Sequence, residues 1–270
     1  LADAFPVLGS GSLAEDRRNL AACRELLDAA GGAQVPVWLV QGPMRRLAAA
    51  RVALPGEQVP PEEARRRELR LAAALREGED GPARRWLRAG TAADLVRGAV
   101  LARVAGARRV LTVGLGDQPR SVPGEEPGPL RLQGLVRPVQ VPGGAPACAP
   151  TPAWHALRQL HGHTLGHQAA ALAPLGGPGE VVVFTFSEAQ PRPWVAVLLP
   201  DPARGWAAMP GEREARVAVR VPLPRGRVEV EELQLDAGEP RRRSVEVSEG
   251  WLEVELGSAP VYVLAEAGRR

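Results

Sequence analysis

From residue 180 to its last residues the chain carries no helical periodicity. "EVVVFTF", "WVAVLLP", "ARVAVRVPL", "RVEVEELQL", "RSVEVSE", "WLEVEL" and "APVYVLAE" follow one another, short alternating or apolar runs set apart by Gly, Pro and Asp turns. Successive side chains of a strand point to opposite faces, so six or seven such runs predict an antiparallel β-sandwich. Ahead of residue 118 the pattern is different. "SLAE" (12–15) reads as a capping box, and Leu20, Cys23, Leu26, Leu27 and Ala30 then recur at helical spacing until "GG" (31–32) stops the helix.

The apolar run "VPVWLV" (35–40) follows, then a polar helix over 61–78. A further helix over 91–106 opens on Thr91 and Asp94 as a second capping signal, and the apolar run "RVLTVGLGD" (109–117) comes after it. With the short run "ADAFPVLG" (2–9), this order of strands and helices predicts an α/β unit with parallel strands near 3–8, 35–40 and 109–115. A loop rich in Pro and Gly (118–150) leads into a helix over 152–166. The expected fold class is α/β plus all-β: a partial (β/α) barrel-like parallel unit over 1–175, then an antiparallel β-sandwich over 176–270. Three parallel strands cannot close a barrel, which takes about eight. The face bearing part of Val35, Val37, Leu39, Leu111, Val113 and Leu115 is therefore expected to be open or covered by a partner chain or by missing strands.

Composition narrows the function classes. With 270 residues, 45% of them hydrophobic, the chain can bury a sizeable core. All 34 basic residues are arginine, and the formal charge is only +3, so the pI of about 9.6 reflects the coding bias of a GC-rich genome. The basic runs at 64–70 and 239–244 are interleaved or flanked with glutamate and read as solvated faces, which excludes nucleic acid as the expected partner. No apolar run reaches the roughly 18 residues of a membrane span, and no basic, apolar leader opens the sequence. Cys23 sits in a helical pattern as a small buried thiol, and nothing in the pattern supports its pairing with Cys148.

The order of elements resembles the carboxyl-terminal part of a clan A glycoside hydrolase, especially the family 39-like proteins, in which a (β/α)₈ barrel precedes a small β-sandwich. "ADAF" is similar to the sixth barrel strand, "VPVWLVQG" to the seventh, and "ADLVRGAVLARVAGARRVLTVGLGD" to the seventh helix and eighth strand. "PTPAWHALRQLHGHTLG" resembles the last barrel helix, and "LGSAPVYVL" the closing strand of the sandwich. The resemblance implies a nucleophilic glutamate at the end of the seventh strand, usually within Thr-Glu-x-Gly. Here Val40, Gln41 and Gly42 stand there. Retaining hydrolysis needs an ionised carboxylate with a second carboxyl roughly 5 Å away, and an amide is a very poor nucleophile.

The acid/base glutamate of the fourth strand lies on sequence this chain does not contain, and Pro6, Val7, Leu8 and Gly9 replace the His-x-Tyr expected after the sixth. The implied function is a glycoside-hydrolase-like protein, inactive as this chain, with a carbohydrate-binding or structural role. The alternatives are an active O-glycosyl hydrolase completed by an acid/base residue on other sequence, or an assembly subunit completed by a partner chain. Gln41 and Asp117, at the ends of the seventh and eighth strands, are the candidate substrate-binding residues. Gln41 could bind a sugar hydroxyl or be a loop residue left after the carboxylate was lost, and Asp117 could bind a sugar or pair with Arg120.

No cofactor or metal is implied. His163 and His167 are four apart, a metal-competent spacing on one helix face, but there is no HExxH, and Gly162 and Gly166 weaken that helix. Trp38, Trp86, Trp154, Trp194, Trp206 and Trp251 could stack on sugars, although their spacing reads mostly as core.

Overall fold

The computed structural model describes residues 13–32, 38–41, 60–75, 81–107, 109–112, 134–139, 141–145, 147–170, 179–185, 194–201, 210 and 214–265. The strand expected near 3–8, Ser12 of the first capping box, Asp117 and Trp206 lie outside them, as do the side chains on the face of Val35, Val37, Leu39, Leu111, Val113 and Leu115. Among the described residues the chain combines helices with antiparallel sheets and one short parallel pair, and no closed barrel is seen.

Helix α1 (Leu13–Ala29) ends as expected at Gly31, whose φ of 76° lets the amides of Gly31 and Gly32 bond back to Asp28 and Leu27. Strand β1 (Trp38–Gln41) is followed by α2 (Pro61–Ala74), which buries Leu71 and Leu75 against Ala83 and Leu87 of the next helix. That helix, α3, runs Pro82–Val104, so it starts nine residues ahead of the expected Thr91. Thr91 is no cap. It is buried in mid-helix and its hydroxyl donates to the Leu87 carbonyl one turn back. The helix stops at Gly106 (φ 80°), where the Ala107 amide bonds to Ala102 O and the Gly106 amide to Arg103 O.

Strand β2 (Arg109–Thr112) pairs in parallel with β1, Trp38 opposite Arg109 and Gln41 opposite Thr112. Within the stretch 118–150, expected as loop, β3 (Val136–Val139) and β4 (Ala147–Pro150) form an antiparallel hairpin. Thr151 then donates its hydroxyl to the carbonyls of Gly134 and Leu135, tying the hairpin to helix α4 (Pro152–Thr164).

The remaining strands are β5 (Gln168–Ala170), β6 (Gly179–Thr185), β7 (Val195–Pro200), β8 (Val217–Pro222), β9 (Gly226–Glu232), β10 (Arg242–Val247), β11 (Trp251–Leu256) and β12 (Val261–Ala265). Six of them form one antiparallel sheet in the order β10-β9-β12-β7-β6-β5, and β8 and β11 pair separately. The sheet buries apolar side chains on both faces, and strand alternation sorts them cleanly. Val181, Ala196, Leu198, Val228, Val230, Val261 and Val263 share a core with Val219, Val221, Leu252, Val254 and Leu256 of β8 and β11. Val182, Phe184, Val195, Val197, Leu199 and Tyr262 point the other way, into a core with Ala92, Leu95, Val96, Val100 and Leu101 of α3 and Ala156 and Leu160 of α4. This second core joins residues from both sides of position 175.

Helix α3 is the centre of that helical layer, buried nearly all round from Leu87 to Ala102. Its small residues Gly90, Ala92, Ala93, Gly98, Ala99 and Ala102 suit close approach of α4 and the sheet. Arg97 is ion-paired to Asp94 one turn back and donates from Nε to Pro200 O at 3.1 Å. Arg103, whose guanidinium lies 4.7 Å over the Phe184 ring, donates to Thr164 Oγ1, Thr164 O and His167 O. These bonds fasten the end of α4 to α3.

Candidate functional site

Helix α4 carries His155, Gln159 and His163 at four-residue spacing, which places all three on one face. That face meets the six-stranded sheet. In β9 the alternation sends Val228 and Val230 to the β8–β11 side, so Glu229 and Glu231 belong to the helix side. One row across the sheet therefore reads Arg242 (β10), Glu231 (β9), Tyr262 (β12), Val197 (β7), Val182 (β6), grading from a charged edge to an apolar centre.

Glu231 is 0% exposed. Its Oε1 accepts from Gln159 Nε2 at 2.5 Å and lies 2.9 Å from His163 Nε2. Its Oε2 is 2.8 Å from Arg242 Nε, close enough for charge pairing but not aligned as a hydrogen bond. Gln159 uses its whole amide: Nε2 also donates to Glu232 O at 2.9 Å, and Oε1 accepts from the Gln234 amide at 2.8 Å. The His163 ring sits 5.3 Å from that of Tyr262, tilted by 55°. The Tyr262 hydroxyl has no hydrogen-bond partner among the described residues, nor does His155 Nδ1.

The electrostatics follow from this packing. Burial works to raise the Glu231 carboxyl, but hydrogen bonds from His163 and Gln159 and the charges of His163 and Arg242 outweigh it and hold it below the ordinary carboxylate range. Desolvation, then the adjacent negative charge of Glu231, pushes the Tyr262 phenol far above its ordinary value. Burial, with Arg158 nearby, lowers the His155 imidazole, and Asp236 opposes the shift weakly. The arrangement is a clamp. Glu231 exposes no surface to a substrate, and its two charge partners, partly buried His163 and the more exposed Arg242, separate it from solvent.

Of the two candidate substrate-binding residues, Asp117 lies outside the described residues and Gln41 is described by its backbone alone. Gln41 closes β1 opposite Thr112 at the carboxyl ends of the parallel pair. His163 and His167 do not share a helix face: α4 ends at Thr164, and Gly166, with φ at 82°, reverses the chain before His167. His163 turns to Glu231 instead. Among the described residues no group of three His, Cys, Asp or Glu side chains is placed to hold a metal ion, and no helix is long and apolar enough to cross a membrane.

Neither cysteine forms a disulfide, and Cys23 is half-buried rather than buried. Two of the tryptophans expected mostly as core, Trp154 and Trp251, are exposed. A cavity of about 650 Å³ opens between β8–β11 and the β9–β10 end of the large sheet. Its walls carry Arg241 and Arg243 against Glu253 and Glu255 over Val230 and Val254, so it has no net preference for either charge. The sequence matches no family model and no curated protein.

Proposed function

We propose that this chain is a glycoside-hydrolase-like protein, the end of a (β/α) barrel followed by a β-sandwich, inactive in catalysis and structural or carbohydrate-binding in role. The observation that carries this reading is the parallel β1–β2 pair, with Gln41 at its carboxyl end opposite Thr112. Barrel enzymes assemble their chemistry at the carboxyl ends of such strands, and the resemblance assigns a nucleophilic glutamate to the Gln41 position. An amide there can donate to and accept from a sugar hydroxyl but cannot form a glycosyl ester.

The packing of α3 and α4 also supports the reading. The closing helices of a barrel fixed to a following β-domain would need a strong joint, and the Gln159–Glu231–His163 clamp supplies one at that place in the chain. The test is turnover of a panel of aryl glycosides by the 270-residue chain and by its Gln41→Ala variant. No turnover is expected from either. Turnover by the wild-type chain that Gln41→Ala abolishes would overturn the reading.

A further inference from the structure

The two faces of the six-stranded sheet differ in kind. The buried members of the core it shares with β8 and β11 are all aliphatic. Every buried polar or charged side chain among the described residues lies elsewhere: Arg88, Thr91, Asp94, Arg97, Thr151, His155, Gln159 and Thr164 in the helical layer or its caps, and Glu231 and Gln234 on or just beyond the strand that meets it. We propose that the joint between the α3–α4 layer and the sheet is an acid-sensitive latch, which loosens before the β8–β11 core when the pH falls. This goes beyond the functional reading above and does not depend on it.

The latch has two titrating parts on one helix face. His155 is 5% exposed and its Nδ1 finds no partner among the described residues, so the closed joint holds it neutral. The charged groups facing it are Arg158 of its own helix, which opposes protonation, and Asp236 of the loop after β9, which favours it more weakly. Glu231 is faced by His163 and Gln159 of α4, Arg242 of β10 and Tyr262 of β12, and the closed joint holds it ionised. On α3, Asp94 is engaged with Arg97, and Arg103 with Thr164 and His167.

Both parts act in the same direction. An open joint returns His155 to its ordinary value of 6.5 and Glu231 to 4.5, and both are lower when closed. The open state therefore binds more protons below each ordinary value. Stability of the closed joint is present above 6.5 and is lost first to His155 and then, below 4.5, to Glu231. One extra proton bound raises the open population about tenfold per pH unit.

Hydrogen exchange followed by mass spectrometry, corrected for the intrinsic pH dependence of exchange, tests this on the intact chain. Between pH 7 and pH 5, opening of the α4 amides should rise, by at most about 25-fold for the one proton taken up below 6.5, while β8 and β11 amides keep their protection. His155→Gln should flatten that slope. Parallel loss of protection in α4 and in β8–β11 would overturn the proposal, as would an unchanged α4 slope in His155→Gln. Should that variant not fold, the comparison of α4 with β8–β11 in the wild-type chain decides alone.

Discussion

Gln159→Met isolates the polar clamp from packing, because methionine nearly matches glutamine in length and volume. Gln159 is 6% exposed and makes three bonds: to Glu231 Oε1, to Glu232 O and from the Gln234 amide. The thioether replaces none of them. Glu232 lies at the exposed end of its strand, where water can reach it, so its carbonyl contributes little to the loss. The Gln234 amide is buried, and leaving it unpaired costs about 1–3 kcal/mol. Glu231 Oε1 keeps His163 but loses a charge-assisted bond of about 1.5–3 kcal/mol.

The sum is roughly 2.5–6 kcal/mol, a large part of the 5–15 kcal/mol typical of a folded domain. Urea unfolding of wild-type and variant chains, analysed by linear extrapolation, measures it. A loss of less than about 1 kcal/mol with an unchanged slope would refute the assignment of Gln159 as the keystone of the joint.

Other positions give independent tests. Tyr262 is the only tyrosine in the chain, so tyrosinate absorbance reports it alone. Its folded value lies above the ordinary 10.0, so stability is intact below pH 10 and declines as the pH rises past it. At pH about 11 most of an unfolded tyrosine is ionised, whereas the folded chain should show almost no tyrosinate, and titration near 10 in the native protein would contradict the burial of the phenol. Arg97→Ala removes one ion-pair partner of buried Asp94 and the bond to Pro200 O, and should lower stability by about 1.5–3 kcal/mol, read from the denaturant midpoint.

Much of the architecture was legible because periodicity reports burial directly. The alternation after residue 180 announced antiparallel strands, and Gly31 and Gly106 marked helix ends through the left-handed conformation they adopt. The start of α3 was hidden because Gly90 followed by Thr91 and Asp94 imitates a helix start, although "PARRWLRA" is rich in good helix formers. Only tertiary burial on several sides makes Gly90 and Thr91 interior helix residues. Pro82 at the first helical position was the local signal available.

The clamp was hidden for a different reason. "RVEVEE" alternates valine with charge, the signature of a strand with one face in water, yet α4 covers that face and buries Glu231. The usable hint lay in α4 itself. His155, Gln159 and His163 sit at helical spacing among the buried Ala153, Ala156 and Leu160, so polar groups fall inside the packed side of the helix. The partner, 68 residues beyond His163, could come only from the fold.

The most direct measurement of the proposed inactivity is covalent trapping. A retaining glycosidase treated with an activated 2-deoxy-2-fluoroglycoside accumulates its glycosyl-enzyme ester on the nucleophilic carboxylate. With Gln41 at the strand end assigned to that nucleophile, the intact mass of the chain should be unchanged after incubation with a panel of such reagents. A stoichiometric mass increase of one fluoroglycosyl unit, mapped to any Asp or Glu of the chain, would reveal a working nucleophile and contradict the reading.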